Sequence, residues 1–139
     1  MTAILNPYLN FPGNAREAIE FYQSVFGGDL DIMTFAENGD PYPGEGDKIM
    51  HSQIDTPSGF TLMASDVTSA HSYTAGENDF SVSLSGAKGD DKELRGYWDK
   101  LSAGANVTQP LETAPWGATF GMLIDKFGVM WLVNISAGD

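Results

Sequence analysis

His51 and His71 are the only histidines in the chain, and there is no cysteine. Imidazole exchanges protons most readily near neutral pH, so side-chain acid–base chemistry has to be sought first at these two places. His51 lies in Ile49-Met50-His51-Ser52-Gln53-Ile54, where strand alternation sets His51 and Gln53 on one face and Met50, Ser52 and Ile54 on the other. Facing a cavity, His51 is the candidate general base; tied to a neighbouring backbone group, it is structural. His71 sits in a polar stretch and reads as exposed and inert. Without thiols there is no disulfide, zinc–thiolate site or cysteine nucleophile, and any metal centre would be built largely from carboxylates. No Ser-His-Asp ordering has local support. Gly44-Glu-Gly-Asp is acidic where a phosphate cradle needs unopposed N–H groups and usually a lysine. The pair Asp90-Asp91 stands at the start of a helical pattern and reads as caps.

The elements that must position these groups come in two similar runs. Adding 76 to Asn14, Glu17, Phe21, Tyr22, Val25 and Gly28 gives Asp90, Glu93, Tyr97, Trp98, Leu101 and Gly104. A cap, an acid, an aromatic pair, an aliphatic and a stop glycine recur in register, the mark of a duplicated unit. In the first run, Ile4 to Phe11 is strand-like with Pro7 near an end, and Asn14 caps a helix with Glu17 as its partner. Ala15, Ala18, Ile19, Tyr22, Val25 and Phe26 form that helix's apolar stripe, and Gly27-Gly28 stop it. Strands follow at Asp29 to Phe35, Lys48 to Asp55 and Phe60 to Ser65, with a long acidic loop at Glu37 to Lys48 and a turn at Thr56-Pro57-Ser58-Gly59. In the second run a strand at Asp79 to Ser85 precedes a helix capped by Asp90 or Asp91 and carrying Leu94, Tyr97, Trp98 and Leu101. Strands at Ala105 to Gln109, Ala118 to Ile124 and Val129 to Ile135 complete it. The expected architecture is α+β: one domain over 1–139, with module one about 1–66, a linker about 67–78 and module two about 79–139, each β-α-β-β-β.

The net charge of −12 repels phosphate backbones and anionic membranes, so neither nucleic acid nor membrane is an expected partner. No stretch approaches the ~20 apolar residues of a membrane span, and the first residues lack a basic, apolar leader. A cytoplasmic protein is the expectation. Sixteen glycines and seven prolines imply many tight turns between short strands.

Asn6-Pro7-Tyr8-Leu9-Asn10-Phe11, Ala18-Ile19-Glu20-Phe21-Tyr22 through Phe26-Gly27-Gly28, His51 before a hairpin to Leu62-Met63-Ala64-Ser65-Asp66, Trp116-Gly117 and Asp125-Lys126-Phe127-Gly128-Val129-Met130-Trp131 together resemble one family. It is the PhnB-like branch of the vicinal oxygen chelate (glyoxalase/bleomycin resistance protein/dioxygenase) superfamily, and the likeness runs nearly end to end. The resemblance implies that each module curves its sheet round a ligand cavity and that chains pair as homodimers. Metal-dependent members bind a divalent ion through one side chain on the first strand of each module and a carboxylate on the last strand of each. Here the first-strand places align to Asn6, with Pro7 or Tyr8 as neighbours in register, and to Phe80 or Ser81. The last-strand places, four residues after the turn glycines Gly59 and Gly128, are Met63 and Leu132. That set does not suit a hard cation, so no metal and no cofactor are expected.

Under the same resemblance the cavity is lined by Asn6, Tyr8, Asn10, His51, Gln53, Met63, Phe80, Trp116 and Leu132, aromatics and amides suited to a small, flat or amphipathic organic ligand. Parity on the last strand sets Leu132 toward the cavity and Trp131 in the core. Two function classes follow: a metal-free binder of a small organic molecule, or a metal-dependent lyase or dioxygenase with a shifted site that uses His51 and a divalent ion. A third is a dimeric interaction protein whose cavity is filled by its own side chains.

Overall fold

The computed structural model describes residues 4–39, 44–69, 71–76 and 80–138. The chain divides into two compact units, Met1–Thr74 and Ala75–Asp139. In the first, β1 (Tyr8–Phe11), α1 (Ala15–Phe26), β2 (Asp29–Thr34), β3 (Ile49–Asp55) and β4 (Thr61–Asp66) follow in order. Their sheet runs β1-β4-β3-β2, with β1 parallel to β4 and the other pairs antiparallel. In the second, β5 (Val82–Gly86), α2 (Asp91–Leu101), β6 (Asn106–Thr113), β7 (Thr119–Ile124) and β8 (Met130–Ile135) repeat the plan, with the order β5-β8-β7-β6 and β5 parallel to β8. The α+β class and the doubled β-α-β-β-β plan are therefore as the sequence reads. Among the described residues no helix is long and apolar enough to cross a membrane.

Each helix covers one face of its own unit's sheet. The α1 stripe of Ala15, Ala18, Ile19, Tyr22, Val25 and Phe26 is buried, as are Phe11, Ile49, Ile54, Leu62 and Ala64 of the sheet. Full burial of each large aliphatic side chain contributes about 1.5–3 kcal/mol. Ser52 sits in the same layer and donates its hydroxyl to the Ala64 carbonyl at 2.7 Å. In the second unit Leu94, Trp98 and Leu101 of α2 are buried, with Leu84, Leu123, Trp131, Val133 and Ile135 of the sheet. Tyr97, read as part of that stripe, is half-buried and donates its hydroxyl to Glu93 one turn earlier. Gly28, at φ 98°, lets the chain leave α1 so close to β3 that a Cβ there would overlap the Asp55 carbonyl.

Several local expectations are corrected. Asn14 precedes α1 but makes no side-chain cap bond, and its buried Oδ1 has no partner among the described residues. The α1 N-terminus is capped from 51 residues away: Asp66 Oδ1 accepts the Ala15 N–H at 2.9 Å, while its Oδ2 accepts the Ile49 N–H at 2.9 Å. Asp90 likewise makes no side-chain bond to α2; it accepts the Ala87 N–H at 3.0 Å and closes the short 3-10 turn Lys88–Asp90. The first strand starts after Pro7, whose carbonyl accepts the Met63 N–H at 3.1 Å, and Ile4 and Leu5 are exposed. The strand expected from Asp79 begins at Val82; Asp79 itself lies outside the described residues, as do residues 40–43 of the acidic loop. β6 continues past Gln109 to Thr113, with register shifts on both sides of Gln109, an edge position that tolerates Pro110.

A buried carboxylate that satisfies two backbone donors is costly to remove, because both N–H groups are then left unmet. Asp66→Ala is expected to lower unfolding free energy by about 2–4 kcal/mol and Asn14→Ala by less than about 0.5 kcal/mol, measured by urea denaturation. Equal losses would show that the cap is local after all.

Candidate functional site

Pairing fixes which side chains share the sheet face turned away from α1. Tyr8 pairs with Met63 and Asn10 with Ser65; Gln53 pairs with Met63, Asp55 with Thr61, Met33 with His51, Asp31 with Gln53, and Asp29 with Asp55. Directly paired residues point to the same side, so Tyr8, Asn10, His51, Gln53 and Met63 stand together on one surface. His51, Gln53 and Met63 are half-buried, while Tyr8 and Asn10 are more open. Asn6 is half-buried just before β1.

A line of hydrogen bonds crosses this face. The Tyr8 hydroxyl lies 2.8 Å from His51 Nδ1, and the two rings tilt against each other with centroids 5.5 Å apart. His51 Nε2 lies 3.3 Å from Gln53 Oε1, and Gln53 Nε2 donates to Asp55 Oδ1 and Oδ2 at 3.1 and 3.2 Å. Thr61 donates to Asp55 Oδ1 at 2.9 Å, and Ser65 to Asn10 Oδ1 at 3.4 Å. The alternative of a histidine tied to backbone is thus replaced by one tied to two side chains. Met33 and Met63 supply soft apolar surface beside this polar line.

In the second unit the face turned from α2 carries Ser83, Ser85, Phe120, Met122, Met130, Leu132 and Asn134. Leu132 is half-buried on this face, and Trp131 is core, 1% exposed, with its indole N–H donating to Asp125 Oδ2 at 2.8 Å. Phe80 and Trp116 stand elsewhere. Phe80 precedes β5 and is 85% exposed, and Trp116 lies in the turn between β6 and β7 at 77% exposed, so neither is on a sheet face. The residue that pairs with Leu132, as Tyr8 pairs with Met63, is Ser83 rather than Phe80 or Ser81. The sequence reading missed it because it set the first-strand place at Asn6, ahead of β1; Asn6 and Ser81 stand 75 residues apart, as Tyr8 and Ser83 do, so the error is two residues along the strand.

Whether a glyoxalase-type metal fits can be judged from these positions. In the first unit they present a phenol and a thioether, Tyr8 and Met63, and in the second an aliphatic hydroxyl and an alkyl group, Ser83 and Leu132. A hard divalent ion takes carboxylate oxygen or imidazole nitrogen, and neither unit's pair offers either one. Among the described residues no three of His, Asp and Glu are grouped to hold an ion. A groove of about 430 Å³ lined by Arg95, Trp98, Asp99, Val107, Pro110 and Leu111 lies on the helix side of the second unit. It contains none of the candidate cavity residues, and Arg95 is already paired with Asp91 at 2.9 Å, so the Tyr8–His51 face is the better candidate.

The entry to β3, which carries His51, is tethered. Glu45 accepts Lys48 Nζ at 2.7 Å, the Ser69 N–H at 3.0 Å and the Ser69 hydroxyl at 2.8 Å. These partners, Lys48 first and Ser69 next, hold the Glu45 carboxyl below its ordinary value of 4.5.

A family model described as 3-demethylubiquinone-9 3-methyltransferase matches residues 3–134. The crystal structure of protein PA1353 from Pseudomonas aeruginosa is 37% identical, with a TM-score of 0.80 over 97% of this chain and 98% of that one. A putative 3-demethylubiquinone-9 3-methyltransferase, PhnB protein, from Bacillus cereus is 26% identical, with a TM-score of 0.72 over 96% of this chain and all of that one. A glyoxylase/bleomycin resistance protein/dioxygenase domain from Frankia sp. EAN1pec, 15% identical, shares the fold at a TM-score of 0.61 over 98% of both chains.

Because the folded state holds the Glu45 carboxyl below 4.5, its tether to Lys48 and Ser69 is complete above that value and is lost as pH falls through the lowered one. The protection factor of the Ser69 amide, its exchange rate referred to that of an unstructured amide at the same pH, is expected to fall in that acid window when followed from about pH 7 down to about pH 3. In Glu45→Gln the loss of protection should already be present at neutral pH; an unchanged Ser69 would refute the tether.

Proposed function

We propose that this chain, which belongs to the 3-demethylubiquinone-9 3-methyltransferase family and to the PhnB-like branch of the glyoxalase/bleomycin resistance/dioxygenase superfamily, is a metal-free binder of a small organic molecule. The observation that carries this reading is the pairing of Tyr8 with Met63 and of Ser83 with Leu132, at and beside the places where the superfamily resemblance implies ion-holding side chains. None of the four is a ligand for a hard cation, and the first unit's face has what a flat amphipathic molecule needs. Tyr8 and the methionines Met33 and Met63 offer polarizable contact area, and Asn10, His51 and Gln53 offer directional hydrogen bonds. The net charge of −12 disfavours anionic ligands at long range and leaves neutral or cationic ones. The quinone in the family's description is a reasonable first compound to offer it. We further place the binder in the cytoplasm as a homodimer, as the superfamily resemblance implies.

Native mass spectrometry with elemental analysis, on protein purified without chelator, tests the ligand, the metal and the dimer at once. The expected spectrum shows a dimer mass, a retained or added organic species and no stoichiometric metal. A metal-to-chain ratio near one would replace the binder with a metal-dependent enzyme.

A further inference from the structure

The line from Tyr8 to Asp55 has a direction, and the direction says what kind of ligand it takes. Asp55 can only accept, so the Gln53 group facing both of its oxygens, at 3.1 and 3.2 Å, is the amide NH2. That turns Gln53 Oε1, an acceptor, toward His51 Nε2 at 3.3 Å, which must therefore carry the ring proton. His51 Nδ1 is then the bare nitrogen, and the Tyr8 hydroxyl at 2.8 Å donates to it. A phenol has one proton. With that proton committed inward, Tyr8, 43% exposed, offers only oxygen lone pairs outward.

We propose that the Tyr8–His51–Gln53–Asp55 relay makes the first unit's sheet face a receptor for neutral molecules bearing a hydroxyl or N–H donor, and that a second proton on His51 reverses this preference. When the ring takes that proton, Nδ1–H donates to the Tyr8 oxygen and the phenol proton is released toward the ligand. The face then donates rather than accepts. The other groups on this surface leave the sense of the switch unchanged. β2 places Met33 opposite His51 with Asp31 and Asp29 further along, β3 contributes Asp55, and β4 contributes the uncharged Thr61, Met63 and Ser65. This inference rests on the binding role proposed above and assigns its ligand class.

Two measurements test it on the full chain. In protein labelled with ¹⁵N-histidine, with His71→Gln used to assign the signals, His51 at about pH 8 is expected to show a protonated Nε2 and a bare Nδ1; a protonated Nδ1 would overturn the relay whether or not any ligand binds. The second measurement titrates phenol, which can donate, against anisole, which cannot, by chemical-shift perturbation at His51. Phenol is expected to bind roughly three- to tenfold tighter at about pH 8, and the preference should fall to near unity at whatever lower pH the ¹⁵N spectrum itself shows both His51 nitrogens protonated. Tyr8→Phe, which keeps the ring, should show no preference at either pH. Equal binding of the two probes at pH 8, no response to either, or a preference unchanged once both His51 nitrogens carry protons would each overturn the proposal. If the tautomer stands but the native spectrum reveals metal, the relay survives and the metal-free binder does not.

Discussion

A four-stranded sheet with one helix can cover only one of its faces, and that constraint decides what every strand residue in this protein can do. In the first unit the helix side is closed by residues almost without solvent exposure, among them Ile54, Ala64, Ser52 and Ile19. Slipping any strand by one residue would turn these outward and bring Gln53 or Met63 beneath α1, an exchange of aliphatic for polar or mismatched groups that the core cannot absorb. The burial of one face therefore fixes the other. Tyr8, His51 and Gln53 meet because the residues between and beside them are held under the helix.

Two buried carboxylates set the ends of this arrangement, by different routes. Asp66, at the end of β4, reaches back to the first turn of α1 and across to the start of β3, so one side chain ties three elements through two backbone N–H groups. The position also places negative charge at a helix N-terminus, where the backbone dipoles favour it. Asp125 instead works within its own turn: Oδ1 accepts the N–H groups of Phe127 and Val129 at 2.8 and 3.0 Å, and Oδ2 accepts the Trp131 indole. The corresponding turn in the first unit uses Thr56, which bonds Phe60 through both its hydroxyl and the backbone. The units thus keep one topology while relying on unrelated polar contacts, consistent with topology being set by pattern and the polar details by local opportunity.

What the amino-acid order revealed follows the same division. Apolar periodicity is local, so α1, α2 and the alternation that joins His51 to Gln53 could be read from neighbours in the chain. The cap on α1 could not, because Asp66 is distant in sequence and Asn14 satisfies every local rule for the job without doing it. Nor could the Tyr8–His51 contact, which exists only because β1 lies parallel to β4 and β4 lies beside β3. Phe80 and Trp116 were attractive as cavity walls on residue type alone, yet both fall in connecting segments, where an aromatic ring has no sheet to hold it over a face. Ser83 was hidden because the first-strand place was set at Asn6, whereas β1 begins at Tyr8, past Pro7. Pro7 has no N–H for the ladder, and where pairing starts beside it is settled by the neighbouring strand.

The two sheet faces also diverge in kind, and the divergence is one of hydrogen-bonding capacity. The first carries a directional polar line that ends on a phenol, with thioethers beside it. The second carries Phe120, Met122, Met130 and Leu132, with Ser83 and Ser85 bonded to each other at 3.0 Å and Asn134 near one end. An apolar surface of that sort adds contact area but discriminates weakly among ligands of similar size, whereas unmet hydrogen-bond demand discriminates strongly. Directional hydrogen bonding therefore belongs to the face that holds His51, while the second unit's face offers mainly shape and apolar contact area. A duplicated scaffold can keep one topology in both halves without matching their side chains, and the unequal faces are the physical record of that freedom.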